Sequence, residues 1–284
     1  MKITWSQILR ILLYNAIFSG VGLYLIGNYF GSSYNSLILL LVLAALVVFD
    51  SIIDRRSLGV YGIKKPKRSD VKYAVAIFAL FFPIAIASRI LFPAFDAVYA
   101  STLNLNGFNY IQFLIFVVPL GILTEEMGTR ALFQSKMAPL FGDRLAIYSV
   151  IANFTLLHFS WAFALDLTNF LIVILTVLAY SALLAFLFYY TKNILSTIIV
   201  HLLTNVVSTY QLIYHITGQF FNEAILWAAW GVMLILFYPI ATEMLRKAYS
   251  SAKLINFKGL QISATIIFVS LFSLIVITLL RYYG

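Results

Sequence analysis

The chain has 284 residues, of which 63% are hydrophobic and 10% are charged, with no cysteine and a formal net charge of +9. That balance excludes a soluble globular domain, and the missing thiols exclude disulfides, thiolate catalysis and cysteine metal sites. The basic excess alone decides nothing; its placement along the chain does.

Apolar length predicts nine spans, at about 8–27, 35–53, 73–95, 111–133, 146–163, 168–190, 194–216, 222–245 and 260–281. The expected fold class is all-α: a polytopic membrane helix bundle of eight to nine transmembrane helices, forming a single membrane domain over 1–284. The first run follows Lys2 and Arg10 and lacks a small-residue cleavage site, so it is read as a retained span rather than a signal peptide.

With the N-terminus in the cytoplasm, the inner segments take Lys2, Arg10, Arg55, Arg56, Lys64, Lys65, Lys67, Arg68, Lys72, Lys136, Arg144, Lys192, Arg246, Lys247, Lys253 and Lys258. The outer segments take Arg281 alone. This is a positive-inside pattern, so the charge is directed at the lipid bilayer and no nucleic acid is expected as a partner. The linker 54–72, with Gly59, Gly62 and Pro66 among its basic residues, is read as an orientation signal at the membrane surface. The outer connections are short and leave no room for an extracellular domain.

The fourth span holds the chain's most informative stretch, Thr124-Glu125-Glu126-Met127-Gly128-Thr129-Arg130. Each ionisable residue at membrane depth costs roughly 2.5–3.5 kcal/mol, so such a cluster reads as a functional site by default. Glu126 and Arg130 are four apart, share a helix face and can pair, whereas Glu125 is turned about 100° away to meet other helices. Pro119 is expected to kink this span, and Gly121 and Gly128 to offer small surfaces for close helix approach.

Two further spans carry histidines. Phe154 and His158 share a face of the fifth, and Thr197, His201, Asn205 and Ser208 form one polar stripe on the seventh. Counting residues from the span ends puts Glu125 roughly 12 Å, His201 roughly 10 Å and His158 roughly 13–18 Å from the cytoplasmic side. All three can share one cavity there, while His215 falls near the outer face.

The residue types suit hydrolysis. A carboxylate beside a neutral imidazole can hold and deprotonate a water, and a second His with an Asn one turn on can donate to a tetrahedral oxyanion. Without a nucleophile elbow or a Cys, a covalent intermediate is not expected. A zinc site remains a second option, with Glu125, His158 and His201 as three ligands, although an HExxH arrangement is absent.

In order, the motifs EExxxR (Glu125-Glu126 to Arg130), FxxxH (Phe154 to His158) and HxxxN (His201 to Asn205) are similar to those of the CPBP family of intramembrane endopeptidases, the CAAX proteases and bacteriocin-processing enzymes also called Abi. The resemblance covers about 110–210 and implies a catalytic core there. It also implies cleavage of a membrane-associated peptide or protein near the cytoplasmic side, by glutamate-activated water and with no cofactor. Carried over by motif, Glu125 and His158 would activate water, His201 and Asn205 would form the oxyanion site, and Glu126, Arg130 and Phe154 would support them. Thr129 and Ala131 depart from the aromatic residue and glycine usual in the family at those two positions.

The composition, rich in Ile, Phe, Tyr and Asn, points to a bacterial cytoplasmic membrane. Two other classes stay open: a non-proteolytic scaffold or immunity protein of the same fold, acting on a partner membrane protein, and a proton-coupled transporter.

Overall fold

Runs of Leu, Ile, Val, Phe and Ala wind into helices throughout the computed structural model, which describes residues 4–22, 33–91, 115, 118–158, 167–217 and 223–252. The helices are α1 (Trp5–Ala16), continued by a π segment (Ile17–Gly22); α2 (Ser33–Ile53); α3 (Arg68–Leu91); α4 (Val118–Glu126), continued by a second π segment (Met127–Gln134) into α5 (Ser135–Phe141); α6 (Asp143–Leu157); α7 (Leu167–Thr191); α8 (Ile194–Thr217); and α9 (Glu223–Ser251). Among the described residues there is no strand, in keeping with the all-α expectation.

Two of these helices, over Phe170–Thr191 and Trp227–Ser251, are long and apolar enough to cross a membrane, and Leu37–Ile53 and Ile194–Ser208 are shorter apolar helices. Much of their apolar surface points outward, as at Leu171, Leu175, Val232, Ile235 and Leu236. Against water that surface would be a liability; against acyl chains it costs nothing. The expected ninth span, 260–281, lies outside the described residues.

Among the described residues the interior has three apolar clusters. Ile77, Phe81, Leu184, Leu187, Val200 and Met244 join α3, α7, α8 and α9. Ile11, Met137, Phe141, Ile147 and Ala185 join α1, α5, α6 and α7. Tyr14, Phe18, Leu43, Tyr61, Leu132 and Ile194 bring α1 and α2 against the long α4–α5 helix and the start of α8.

Several expected boundaries move, each for a local reason. The fourth span does not end near 133: helical winding continues to Phe141 and stops at Gly142, whose φ of 96° is open to glycine. The next helix starts at once at Asp143 and ends at Leu157 with His158 as its C-cap, and the rest of the expected fifth span, 159–163, lies outside the described residues. Between α7 and α8 only Lys192 and Asn193 intervene; Lys192 takes a left-handed φ of 48°, and the Asn193 side chain accepts from the Leu195 N–H at 3.0 Å to start α8.

The linker is more than an orientation signal. Its 3₁₀ turn, Leu58–Tyr61, buries Tyr61 completely, and the Gly62 carbonyl accepts from the Ile194 N–H at 3.0 Å. Gly62 has φ 79°, and a Cβ there would stand 2.6 Å from the Phe188 ring. Gly62→Ala is therefore expected to destabilise the protein by roughly 1–3 kcal/mol, read as a lower unfolding temperature in detergent, with unchanged stability counting against this docking.

The linker turn also closes a buried ion cluster. Asp50, fully buried on α2, takes Arg10 Nη1 at 2.7 Å, Lys136 Nζ at 2.5 Å, the Tyr14 hydroxyl at 3.0 Å and the Tyr61 hydroxyl. Asp54 takes the other Arg10 nitrogen and Lys136, each at 2.6 Å. Arg10 and Lys136, assigned from sequence to the basic cytoplasmic connections, are thus neutralised inside the fold. Burial alone would push the Asp54 carboxyl up, but hydrogen bonds from Lys136 and Arg10 outweigh it and hold the group below its ordinary 3.8. Burial, then the bond to Asp50, keeps the Tyr61 phenol well above its ordinary range, as a donor.

Candidate active site

The EExxxR stretch straddles a change of winding. Glu125 and Glu126 end α4, and the chain then passes into the eight-residue π segment, an uncommon conformation often found at functional sites. The irregularity lies after the glutamates; Pro119 stands in the first turn of Val118–Glu126. Gly128 does meet a neighbour closely, since a Cβ there would come within 2.4 Å of the Phe18 ring from the other π segment. Gly121 has nothing within 4 Å of its Cβ direction, so the helix contact expected of it is not made by the described residues.

Glu126 and Arg130 are both fully buried and pair as their spacing predicts, Nη1 to Oε1 at 3.2 Å. The same Oε1 accepts a second bond, from His201 Nδ1 at 2.9 Å. The far nitrogen of that ring, Nε2, faces Glu125 Oε2 at 3.7 Å. His201 is thereby held between the two glutamates, an arrangement that joins α4 to α8. Of the two acids, Glu125 is the accessible one: its side chain is 32% exposed.

Phe154 is the apolar centre of the group. The Arg130 guanidinium lies 4.6 Å from its ring centroid, the His158 ring 4.6 Å and the His201 ring 6.2 Å. His158 Nδ1 donates to the Phe154 carbonyl at 2.8 Å, and a carbonyl only accepts, so the lone pair of the neutral ring is on Nε2. Glu125, His201 and Arg130 are close enough to act electrostatically on this imidazole.

On α8, Thr197 is buried with its hydroxyl on the Ile194 carbonyl, and Asn205 lies half-buried one turn beyond His201. The side chain of His215 is outside the described residues.

Two neighbours have no motif to announce them. The buried Tyr180 ring of α7 stands edge-on to His201 at 5.3 Å and is backed by Phe81 at 4.6 Å. Thr204, one turn after His201, is also buried. No sequence signal marks Tyr180, one aromatic among many on an apolar helix.

His201 Nδ1 is engaged by Glu126 and His158 Nδ1 by a carbonyl. Among the described residues no three His, Asp or Glu side chains form a group able to hold a metal ion.

No curated protein and no solved structure matches the chain. Residues 107–207 match the model of a family described as type II CAAX prenyl endopeptidase Rce1-like. The matched stretch carries all three motifs and every side chain just described from Glu125 to Asn205, and the match supports the resemblance of this part of the chain to the CPBP/CAAX protease family.

Proposed function

We propose that the protein is an intramembrane endopeptidase that hydrolyses a peptide bond of a membrane-associated peptide or protein by direct attack of water. The observation that supports this best is the placement of His201 between an accessible carboxylate and a buried one that Arg130 anchors.

In this mechanism Glu125 takes a proton from a water that also hydrogen-bonds to His158 Nε2. The resulting hydroxide attacks the scissile carbonyl carbon. The oxyanion so formed accepts hydrogen bonds from the Asn205 amide and from Nε2–H of His201, whose ring enters the step with both nitrogens protonated and keeps both protons, Nδ1–H on Glu126. Collapse expels the amine, and Glu125 returns its proton to it.

The cytoplasmic half of the membrane is the proposed side of the opening, with the N-terminus in the cytoplasm of a bacterial cell and the chain crossing several times. The exposed Lys64, Lys65, Lys67 and Arg68 at the start of α3 support that orientation.

The test is cleavage by purified full-length protein in liposomes. The probes are internally quenched peptides, one set farnesylated with a C-terminal CAAX sequence and one set carried by an N-terminal acyl chain. Cleavage of either set, undiminished by chelator, is expected. Activity lost with chelator and restored by zinc would overturn the metal-free mechanism, and no cleavage of any probe would overturn the endopeptidase proposal.

A further inference from the structure

We infer that Thr129 is a positioning residue of this site: its hydroxyl fixes the Arg130 guanidinium and, through it, the bond between Glu126 and His201. Thr129 is fully buried, and its hydroxyl donates to the Glu125 carbonyl at 2.5 Å, a carbonyl being able only to accept. With its single proton so committed, the oxygen accepts from Arg130 Nη1 at 2.7 Å. Nη1 carries two protons, and the other goes to Glu126 Oε1 at 3.2 Å.

The remaining nitrogens of Arg130, Nε and Nη2, are buried and have no hydrogen-bond partner among the described residues. The hydrogen bonds that orient the guanidinium therefore all run through Nη1, beside the Phe154 ring it lies over, and Thr129 supplies one of the two. Losing one of the two bonds would leave this fully buried guanidinium with a single hydrogen bond and the contact with the Phe154 ring. Thr155 also bonds back four residues to a backbone carbonyl, as threonines in helices often do, but Thr129 adds a bond to a charged group.

The position in the helix explains why the hydroxyl is there. The ladder changes at Met127 from i+4 to i+5 spacing, and Thr129 gives the Glu125 carbonyl a donor at the i+4 position. The bonds then run in a loop: Glu125 carbonyl, Thr129, Arg130, Glu126 and His201, whose far nitrogen faces the Glu125 carboxylate. A side chain outside the catalytic group thus ties the backbone of one glutamate to the side chain of the other.

Thr129→Val keeps the volume and removes the hydroxyl, and Thr129→Ser keeps the hydroxyl. Full-length protein with ¹⁵N-labelled histidine, in detergent, reports the Nδ1-bound proton of His201, assigned by its loss in His201→Gln. The expected result is a shifted or rapidly exchanging Nδ1 proton in the valine variant and a wild-type signal in the serine variant. Thr129→Ala gives the same comparison if the valine variant does not fold. An unchanged Nδ1 proton in the valine or alanine variant would overturn the inference. Its activity readout rests on the proposed hydrolysis: kcat should fall roughly 10- to 100-fold with KM unchanged in the valine variant, and serine should restore it. Should wild-type protein cut no probe, the hydrolysis proposal fails, while the His201 signal still decides the role of Thr129.

Discussion

Replacing Glu125 by Gln should lower kcat/KM for peptide cleavage by roughly 10²- to 10⁴-fold, the range associated with loss of a general base. The substitution changes almost no volume. It removes the capacity to accept a proton from water and leaves a side chain that still hydrogen-bonds. The fold should tolerate it, because the Glu125 side chain is 32% exposed and faces His201 at 3.7 Å, beyond hydrogen-bond distance. Glu126→Gln should behave differently. That carboxylate is fully buried and receives both Arg130 and His201, so its loss should lower the unfolding temperature as well as the rate. Steady-state kinetics beside thermal unfolding of both variants separates the base from the anchor. Near-normal turnover in Glu125→Gln would mean that another group takes the proton.

The largest loss of stability is expected at Asp50→Ala, roughly 3–5 kcal/mol, the usual effect of removing one partner from a buried ion pair. Four donors from three other elements converge on this carboxylate: Arg10 and Tyr14 of α1, Tyr61 of the linker turn and Lys136 of α5. Without it Asp54 alone faces two cations, and two phenols lose their acceptor. Asp54→Ala should cost less, since that side chain sits at the rim with 9% exposure. A double change, Asp50→Asn with Lys136→Met, should recover part of the loss by restoring charge balance, as a double-mutant cycle of unfolding free energies would show. Acid should mimic part of the damage. The Asp54 carboxyl is held below 3.8, so its contribution is complete above that value and is lost as pH falls through the lowered one.

Spacing made part of this legible. Glu126 and Arg130 pair because four residues make one turn of helix, and that rule needs no tertiary knowledge. The three motifs pointed to side chains that do converge: both glutamates, Arg130, Phe154, His158 and His201. What spacing could not give is the partner across helices. That one imidazole touches both glutamates depends on how α8 docks on α4, and so does the edge-on contact of Tyr180. Asp50 is a different case. A carboxylate inside the apolar run 35–53 obeys the rule that singled out Glu125, and that rule marks it as paired. Hydropathy misplaced the ends of the fourth and fifth helices because it measures apolarity. One helix ends at the backbone angle of Gly142 and the other at the cap on His158.

The unbroken winding from Val118 to Phe141 makes this helix a shaft with two keyed ends. At one end Glu125 and Glu126 must point at His201; at the other Lys136 must point at Asp50 and Asp54. The π segment between them sets the angular phase of the two keys. A substitution within 127–134 changes a side chain and leaves that phase alone. Deleting a single residue there would turn one key by about 100° relative to the other. Beyond the residues it fixes at Gly128, Thr129 and Arg130, this stretch is therefore fixed in count, a constraint on length that side-chain chemistry alone would not impose.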